Sequence, residues 1–502
     1  MPLLTILGLL PIAGAVLLMF LRGNTAKLIG FGVALTTLIL GVLVFVLHIT
    51  GANLAEAVPW VELIGAQYAL QLDGMSAILV LLTVILVPIV LLAEWHVGDN
   101  ETARWGTPAF FGLALLLQGF ALYVFMAADV LLFYVAFEAT LIPMYFLIAG
   151  YGGARRNAAA VKFLIYSLAG GLVMLVAVAG LYAVGYQQGK ASFLINDLAQ
   201  LDLDSSVGKW LFLGFFFAFA VKAPMAGLHT WLPDTAEQAT GGSSTLLVGI
   251  LDKIGTFGMI KIGLMIFPEA SQWASPVILV WAVVSVLYGA IMAFASTDIM
   301  RLISYTSVSH FGFMVFGIYA FTQASMSGSI FYMINHGFST AALFLIAGFL
   351  IRRRGSQDIR AFGGVQKVAP VLAGTFLISG LSALSLPGLS TFVSEIMVMA
   401  GAWQRHPVLT AVSTLGMVLA AVYVLRLYKT TMTGPVTEQT ATHITSDLNL
   451  RERAVVAPLL VLLLVFGFFP KPLMEPANDT ATAVLAVAGI EDPTPQVKEG
   501  GR

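Results

Sequence analysis

Four ionisable residues interrupt long apolar runs: Glu138 in Phe137-Glu138-Ala139-Thr140, Lys222 in Ala220-Val221-Lys222-Ala223-Pro224, Lys253 in Leu251-Asp252-Lys253 and Glu395 in Ser394-Glu395-Ile396. Of the chain's 25 lysines and arginines, Lys222 and Lys253 are the two that fall inside predicted spans rather than at their ends. A charged side chain at the centre of a membrane helix costs about 2.5–3.5 kcal/mol on insertion scales, so such residues face a bundle interior or a wet cavity. Burial disfavours the charged form of both residue types, so each can exchange a proton near neutral pH. The chemistry on offer is proton transfer. The bland alternative is a structural salt bridge, such as Glu138 to Lys222, that fixes helix packing. Four ionisable residues in four different spans, two of them beside helix breaks, favour the proton path. Asp252 adjoins Lys253 but points about 100° away from it on a helix, either toward a partner elsewhere or toward the span end.

Three histidines stand near these groups: His229 after Pro224, His310 in Ser307-Val308-Ser309-His310, and His336 in Asn335-His336-Gly337. A histidine titrating near 6.5 can relay a proton, or it can be a hydrogen-bonded packing residue. Ser304, Tyr305, Thr306, Ser307 and Ser339 supply hydroxyls that could hold ordered water for a relay. No His/Asp/Glu cluster has metal-site spacing, and no P-loop, dinucleotide glycine fingerprint or nucleophile elbow occurs, so nucleotide and acyl chemistry are excluded. With 0 cysteines, the chain offers no thiolate to an iron–sulfur cluster. Electrons, if any are involved, travel elsewhere.

The elements that position these residues are membrane helices. The chain has 502 residues, 59% hydrophobic and 10% charged, with a mean hydropathy of +0.93. A net charge of −1 gives no basic face for nucleic acid. Met1–Leu21 lacks a positive n-region and a small-residue cleavage site, and reads as a first span. At about 20 apolar residues per span, an all-α, polytopic protein of about fourteen helices is expected, near 2–22, 28–49, 74–94, 108–127, 130–150, 161–186, 209–240, 244–267, 276–295, 303–321, 328–351, 370–402, 407–430 and 453–470. These form one membrane domain over 1–488, with a disordered tail at 489–502. The seventh span contains Pro224 and Gly227, and the twelfth contains Leu386-Pro387-Gly388. Proline removes a backbone donor, so both read as helices broken at membrane depth. Lying five spans apart, they run in opposite directions, as in inverted repeats of spans 4–8 and 9–13 (about 108–267 and 276–430). Lysines and arginines in the loops are concentrated on one face, including Arg155, Arg156, Lys162, Arg301 and Arg352–Arg354. That face is the cytoplasmic one by the positive-inside rule, which leaves both termini outside.

The motifs resemble a known family, the antiporter-like subunits of respiratory complex I, across nearly all fourteen spans. They are Glu138 with Ile142-Pro143-Met144-Tyr145-Phe146, Lys162-Phe163-Leu164-Ile165-Tyr166, Ala220 to Pro224 running to Leu228-His229-Thr230-Trp231-Leu232-Pro233-Asp234, and Leu251-Asp252-Lys253. They continue through Arg301 to His310, Asn335-His336-Gly337-Phe338-Ser339-Thr340, and Leu386-Pro387-Gly388 to Glu395. The resemblance implies that the fifth-span glutamate modulates the seventh-span lysine, and that the eighth-span lysine and an eleventh-span histidine pass the proton toward the twelfth span. Glu395, where sibling branches usually carry lysine, points to the M-type branch, and no long lateral helix after the fourteenth span argues against the L-type. Two departures stand out: Thr235-Ala236-Glu237-Gln238-Ala239-Thr240-Gly241-Gly242 where the family commonly has Ala-His and Ala-Pro, and Met300 where a basic residue is common.

The resemblance implies a proton-translocating, non-redox subunit of a NADH:quinone oxidoreductase in a bacterial cell membrane. Its partners would be the neighbouring antiporter-like and other membrane-arm subunits, with FMN, iron–sulfur clusters and quinone in partner subunits and no cofactor in this chain. Two alternatives are a subunit of a multi-subunit cation/proton antiporter and a structural scaffold whose buried charges only pack helices.

Overall fold

The computed structural model describes residues 2–99 and 102–493; most of the expected tail, 494–502, lies outside the described residues. Every expected span falls on helical segments. Among the described residues ten helices are long and apolar enough to cross a membrane, or eleven when Leu450–Phe468 and Lys471–Val487, bent by 67°, count as one span. The other expected spans are the short Leu3–Leu18 and two segments whose helices are interrupted, 241–264 and 370–403. Helix starts follow side-chain caps. Asp73, Asp204, Asp298 and Thr322 each accept an amide of the first turn, supplying acceptors that bare helix ends lack.

The structure differs from the sequence reading in four places. The all-α expectation omits a hairpin, β1 (Glu56–Val61) and β2 (Ala66–Leu70), paired antiparallel with Val58 opposite Tyr68. It docks through Asp129, which caps the Val130–Ala139 helix and also accepts the Gln67 amide at 2.9 Å. The expected 130–150 span is a single 22-residue span, Val130–Tyr151, with a local break at Thr140 between Val130–Ala139 and Leu141–Tyr151, because Pro143 leaves the Ala139 carbonyl without its usual donor. The eighth span carries two wide turns, Leu247–Leu251 and Met259–Leu264, flanking Lys253–Gly258. Finally, Lys471–Val487 follows the last expected span and folds back on the molecule, where Met75 N donates to Thr480 Oγ1 at 3.0 Å.

Two adjacent helices form the centre. Ile299–Tyr319 is buried along its whole apolar window and Gln323–Arg354 along 89% of it, whereas Gly23–Ile49 and Pro407–Met432 are buried over only a third. The polar content follows that division, with Ser304, Thr306, Ser307, Ser309, His310, Asn335, His336 and Ser339 all inside. Lipid cannot satisfy such groups, so a sequence rich in them is stable only when other helices surround it.

Candidate functional site

Glu138 sits one residue before the end of Val130–Ala139, and its carboxylate lies against Gly171 of the neighbouring Arg156–Gln187 helix. A Cβ at position 171 would overlap Glu138 Oε1. The glycine thus makes the space that the carboxylate fills, and Oε1 has no hydrogen-bond partner there. We predict that Gly171→Ala leaves assembly intact, because only the flexible end of one side chain must move. Pumping per electron should fall by about twofold or more, since a 1 Å misplacement of a reacting group can cost up to about 10²-fold. Proton uptake in proteoliposomes is the check.

Lys222 ends the Ser205–Lys222 helix, fully buried, with Nζ lacking any hydrogen bond and lying 5.3 Å and 5.4 Å from the ring centres of Phe137 and Phe163. No ion pair joins it to Glu138 among the described residues, and Glu138 Oε1 is likewise without a partner there. The static salt bridge is therefore absent from this arrangement. The break that follows is held open from outside. With no N–H on Pro224, Met225 N reaches Ala220 O at 3.0 Å. The Val221 carbonyl is taken by Trp231 Nε1 at 3.1 Å, and Ser285 and Trp281 satisfy Ala226 on both sides. Gly227, at φ 92°, donates to His229 Nδ1 at 3.1 Å. His229 thus accepts a backbone bond at the turn.

Lys253 owes its position to the first wide turn. Asp252 N bonds Leu247 O, five residues back, and Lys253 Nζ bonds Val248 O at 2.6 Å. Wide turns of this kind occur mostly as local bulges, often at functional sites. The same Nζ lies 2.7 Å from His336 Nδ1. When Lys253 is an ammonium it donates and carries no acceptor, so in that state Nδ1 accepts and the His336 proton sits on Nε2. The His310 ring stands edge-on to His336 at 5.2 Å, and both contact Tyr332. His336 Nε2 and His310 Nδ1 are both without partners, an open segment between Lys253 and the second break.

That break separates Pro370–Ala383 from Ser390–Trp403. Ser385 at φ 58° and Gly388 at φ 95° turn the chain around Pro387, and Thr391 Oγ1 closes it onto Ser382 O at 2.6 Å. Asn335, next to His336, donates to Ser390 O and Ser394 Oγ. The histidine helix and the broken helix are tied at that point. Glu395 follows, 3% exposed, facing the hydroxyls of Ser385 and Tyr332. Lys222, Lys253, His336, His310 and Glu395 are therefore buried and Glu138 is half-buried, while His229 lies at the turn beyond Lys222.

A family match described as NADH:quinone oxidoreductase/Mrp antiporter, TM, covers residues 127–426, the stretch that holds every one of these side chains. The chain belongs to that family. Over 99% of its length it is 45% identical to a Mycobacterium tuberculosis protein named NADH-quinone oxidoreductase subunit M, and covers 96% of that protein. A chain of respiratory complex I from Thermus thermophilus, solved with bound NADH, is 31% identical, with a TM-score of 0.89 over 97% of this chain and 100% of its own. A chain of the Mrp complex from a Dietzia species shares the fold, with a TM-score of 0.84 at 21% identity, 97% coverage of this chain and 100% of its own.

As a member of this family the chain is a multi-pass membrane protein, and its departure at 235–242 has a structural account. Glu237 accepts Arg301 Nη1 at 2.8 Å and also pairs with Arg155. Asp234 pairs with Lys162 at 2.6 Å and Arg301 at 2.7 Å, and Thr240 caps the next helix through Ser243 N. The divergent run supplies one carboxylate and one cap to a charged cluster at the end of the first broken helix. Sequence reasoning did not single out Asp73 and Glu94. They bracket the Gly74–Ala93 helix and pin it beside the bulged helix, through Lys261 at 2.5 Å and the Gly242 amide at 2.8 Å. Both stand at span ends, where a carboxylate is unremarkable in a sequence.

Proposed function

We propose that this chain is a proton-translocating membrane-arm subunit of a NADH:quinone oxidoreductase. In this reading the proton passes from the Glu138–Lys222 region through Lys253, His336 and His310 to Glu395. The observation that carries the reading is the 2.7 Å contact between Lys253 Nζ and His336 Nδ1 inside a fully buried interior, flanked by ionisable side chains at two helix breaks. Residue by residue the path crosses both halves of the family fold. The finer architecture we propose is one membrane domain over 1–488 with fourteen crossings, broken and bulged helices counting as single spans. Inverted repeats occupy about 108–267 and 276–430, and both termini lie outside a bacterial cell membrane.

The mechanism is electrostatic. Two unit charges 4 Å apart interact by about 4 kcal/mol at an effective dielectric near 20, and doubling the separation removes about half of that. Moving Glu138 relative to Lys222 therefore changes whether the lysine holds its proton, and distant quinone reduction supplies the movement. FMN, iron–sulfur clusters and quinone belong to partner subunits, and the neighbours of this chain are other antiporter-like membrane-arm subunits. No group in this chain changes redox state in the reading.

Glu138→Gln and Lys222→Ala in a fully assembled complex should each lower protons pumped per electron by about tenfold or more, a lower bound set below the ~10²–10⁴-fold that a positioned proton-transfer group contributes. Normal stoichiometry in both variants would sink the reading. The rival, a cation/proton antiporter subunit, shares the fold. Purification of the intact assembly decides between them, because flavin, iron–sulfur signals and NADH:quinone activity accompany only the first.

A further inference from the structure

Asp252 has the environment of a working group and none of the features of a structural one. It is fully buried, and neither carboxylate oxygen has a hydrogen-bond partner among the described residues. Other carboxylates near the core contrast with it. Asp129 accepts three backbone amides, Asp73 caps a helix and pairs with Lys261, and Glu94 takes the Gly242 amide and Arg352. Those carboxylates hold backbone and cations in place. Asp252 holds nothing, and an unsatisfied buried carboxylate is costly enough to require an explanation.

Its direction is fixed by two glycines. On the bulged helix Gly255, three residues on, shares the Asp252 face, and a Cβ there would come 2.5 Å from Ala223 N and 2.6 Å from Phe219 O. That face meets the backbone at the end of the Lys222 helix. Gly249, four residues before Lys253, instead packs on Leu86 and the Gly337 carbonyl, toward the helix that carries His336. The neighbouring residues Asp252 and Lys253 thus look in two directions, one to Lys222 and one to His336.

We infer that Asp252 is the proton-carrying residue between Lys222 and Lys253, a role that rests on the proton path proposed above. The Lys222 ammonium gives its proton to the Asp252 carboxylate, leaving a neutral amine and a carboxylic acid. The acid O–H then protonates the Lys253 amine, and the carboxylate is restored. Each transfer moves one proton between two named groups and needs no further reactant. An acid at this point also spares the chain a direct transfer between two lysines whose simultaneous charging in one apolar interior is disfavoured.

The test uses the whole complex in proteoliposomes with Asp252→Asn, Asp252→Glu and Lys222→Ala, each checked for subunit content. The expected result is that Asp252→Asn, which keeps shape and loses titration, pumps about tenfold less per electron, while Asp252→Glu stays within about twofold of the native complex. A packing role predicts the reverse order, since Asn fits the site and Glu overfills it. Normal pumping by Asp252→Asn beside a defective Lys222→Ala overturns this role and leaves the path standing. Normal pumping by both overturns the path itself. If Asp252→Asn does not assemble, Asp252→Glu decides, with retained pumping supporting the role and lost pumping in an assembled complex overturning it.

Discussion

Lys253→Met will stop proton pumping in a complex that still assembles and still accepts electrons from NADH. Methionine keeps the apolar stem of lysine but lacks its ammonium, so stem packing is kept while the contact of Nζ with the Phe311 ring, at 5.1 Å, is lost. What disappears is the donor to Val248 O and the partner of His336 Nδ1. Loss of these two buried hydrogen bonds costs about 1–3 kcal/mol each of local stability, which a helix packed on all sides absorbs. Loss of the group proposed to carry the proton between Asp252 and His336 removes the transfer step, so the expected fall in protons per electron is about 10²-fold or more. Lys253→Arg separates charge from titration, because a guanidinium stays protonated under all working conditions. It should fail as completely as methionine. Wild-type stoichiometry in the arginine variant would mean that the position needs only positive charge, and the path through Lys253 would be wrong.

Much of this site was legible in the sequence because lipid makes polar residues conspicuous. Lys222 and Lys253 stand out as basic residues inside apolar runs, and Pro224 and Pro387 mark both breaks. What the sequence leaves open follows from geometry that spacing does not encode. The wide turn at Leu247–Leu251 has no proline or sequence signature, yet it determines that Lys253 bonds Val248 O and faces His336. Asp252 was read as equally able to pair elsewhere or to lie near the span end, and only the packing of Gly249 and Gly255 on different helices gives its direction. His229 has relay chemistry by residue type, but its Nδ1 is committed to the Gly227 amide. The hairpin Glu56–Leu70 was missed for the opposite reason. It is short and half-exposed, with none of the apolar length that identifies spans, and its docking uses residues distant in sequence, Asp129 on the Gln67 amide and Glu56 on the Leu4 and Thr5 amides.

Gly255→Val tests the other requirement of the path, that the two lysine-bearing helices touch. A Cβ at 255 would lie 2.5 Å from Ala223 N, 2.6 Å from Phe219 O and 2.7 Å from Ala223 Cβ. Two of these atoms are backbone at the start of the break, where Ala223 N is already bound to Phe219 O at 2.7 Å, so neither can withdraw without unmaking that turn. Valine adds two further methyl groups. Forced overpacking of this kind typically costs about 1–3 kcal/mol, and here the relaxation available is separation of the two helices. The expected result is a lowered unfolding temperature of the purified complex, together with loss of pumping larger than the stability change explains, because Lys222 is moved away from Asp252. Gly249→Val, on the opposite face against Leu86, is the matched control. It should lower stability similarly while disturbing the Lys253 to His336 side instead. A Gly255→Val complex that is destabilised but pumps with native stoichiometry per assembled unit would show that close approach of these helices serves packing alone.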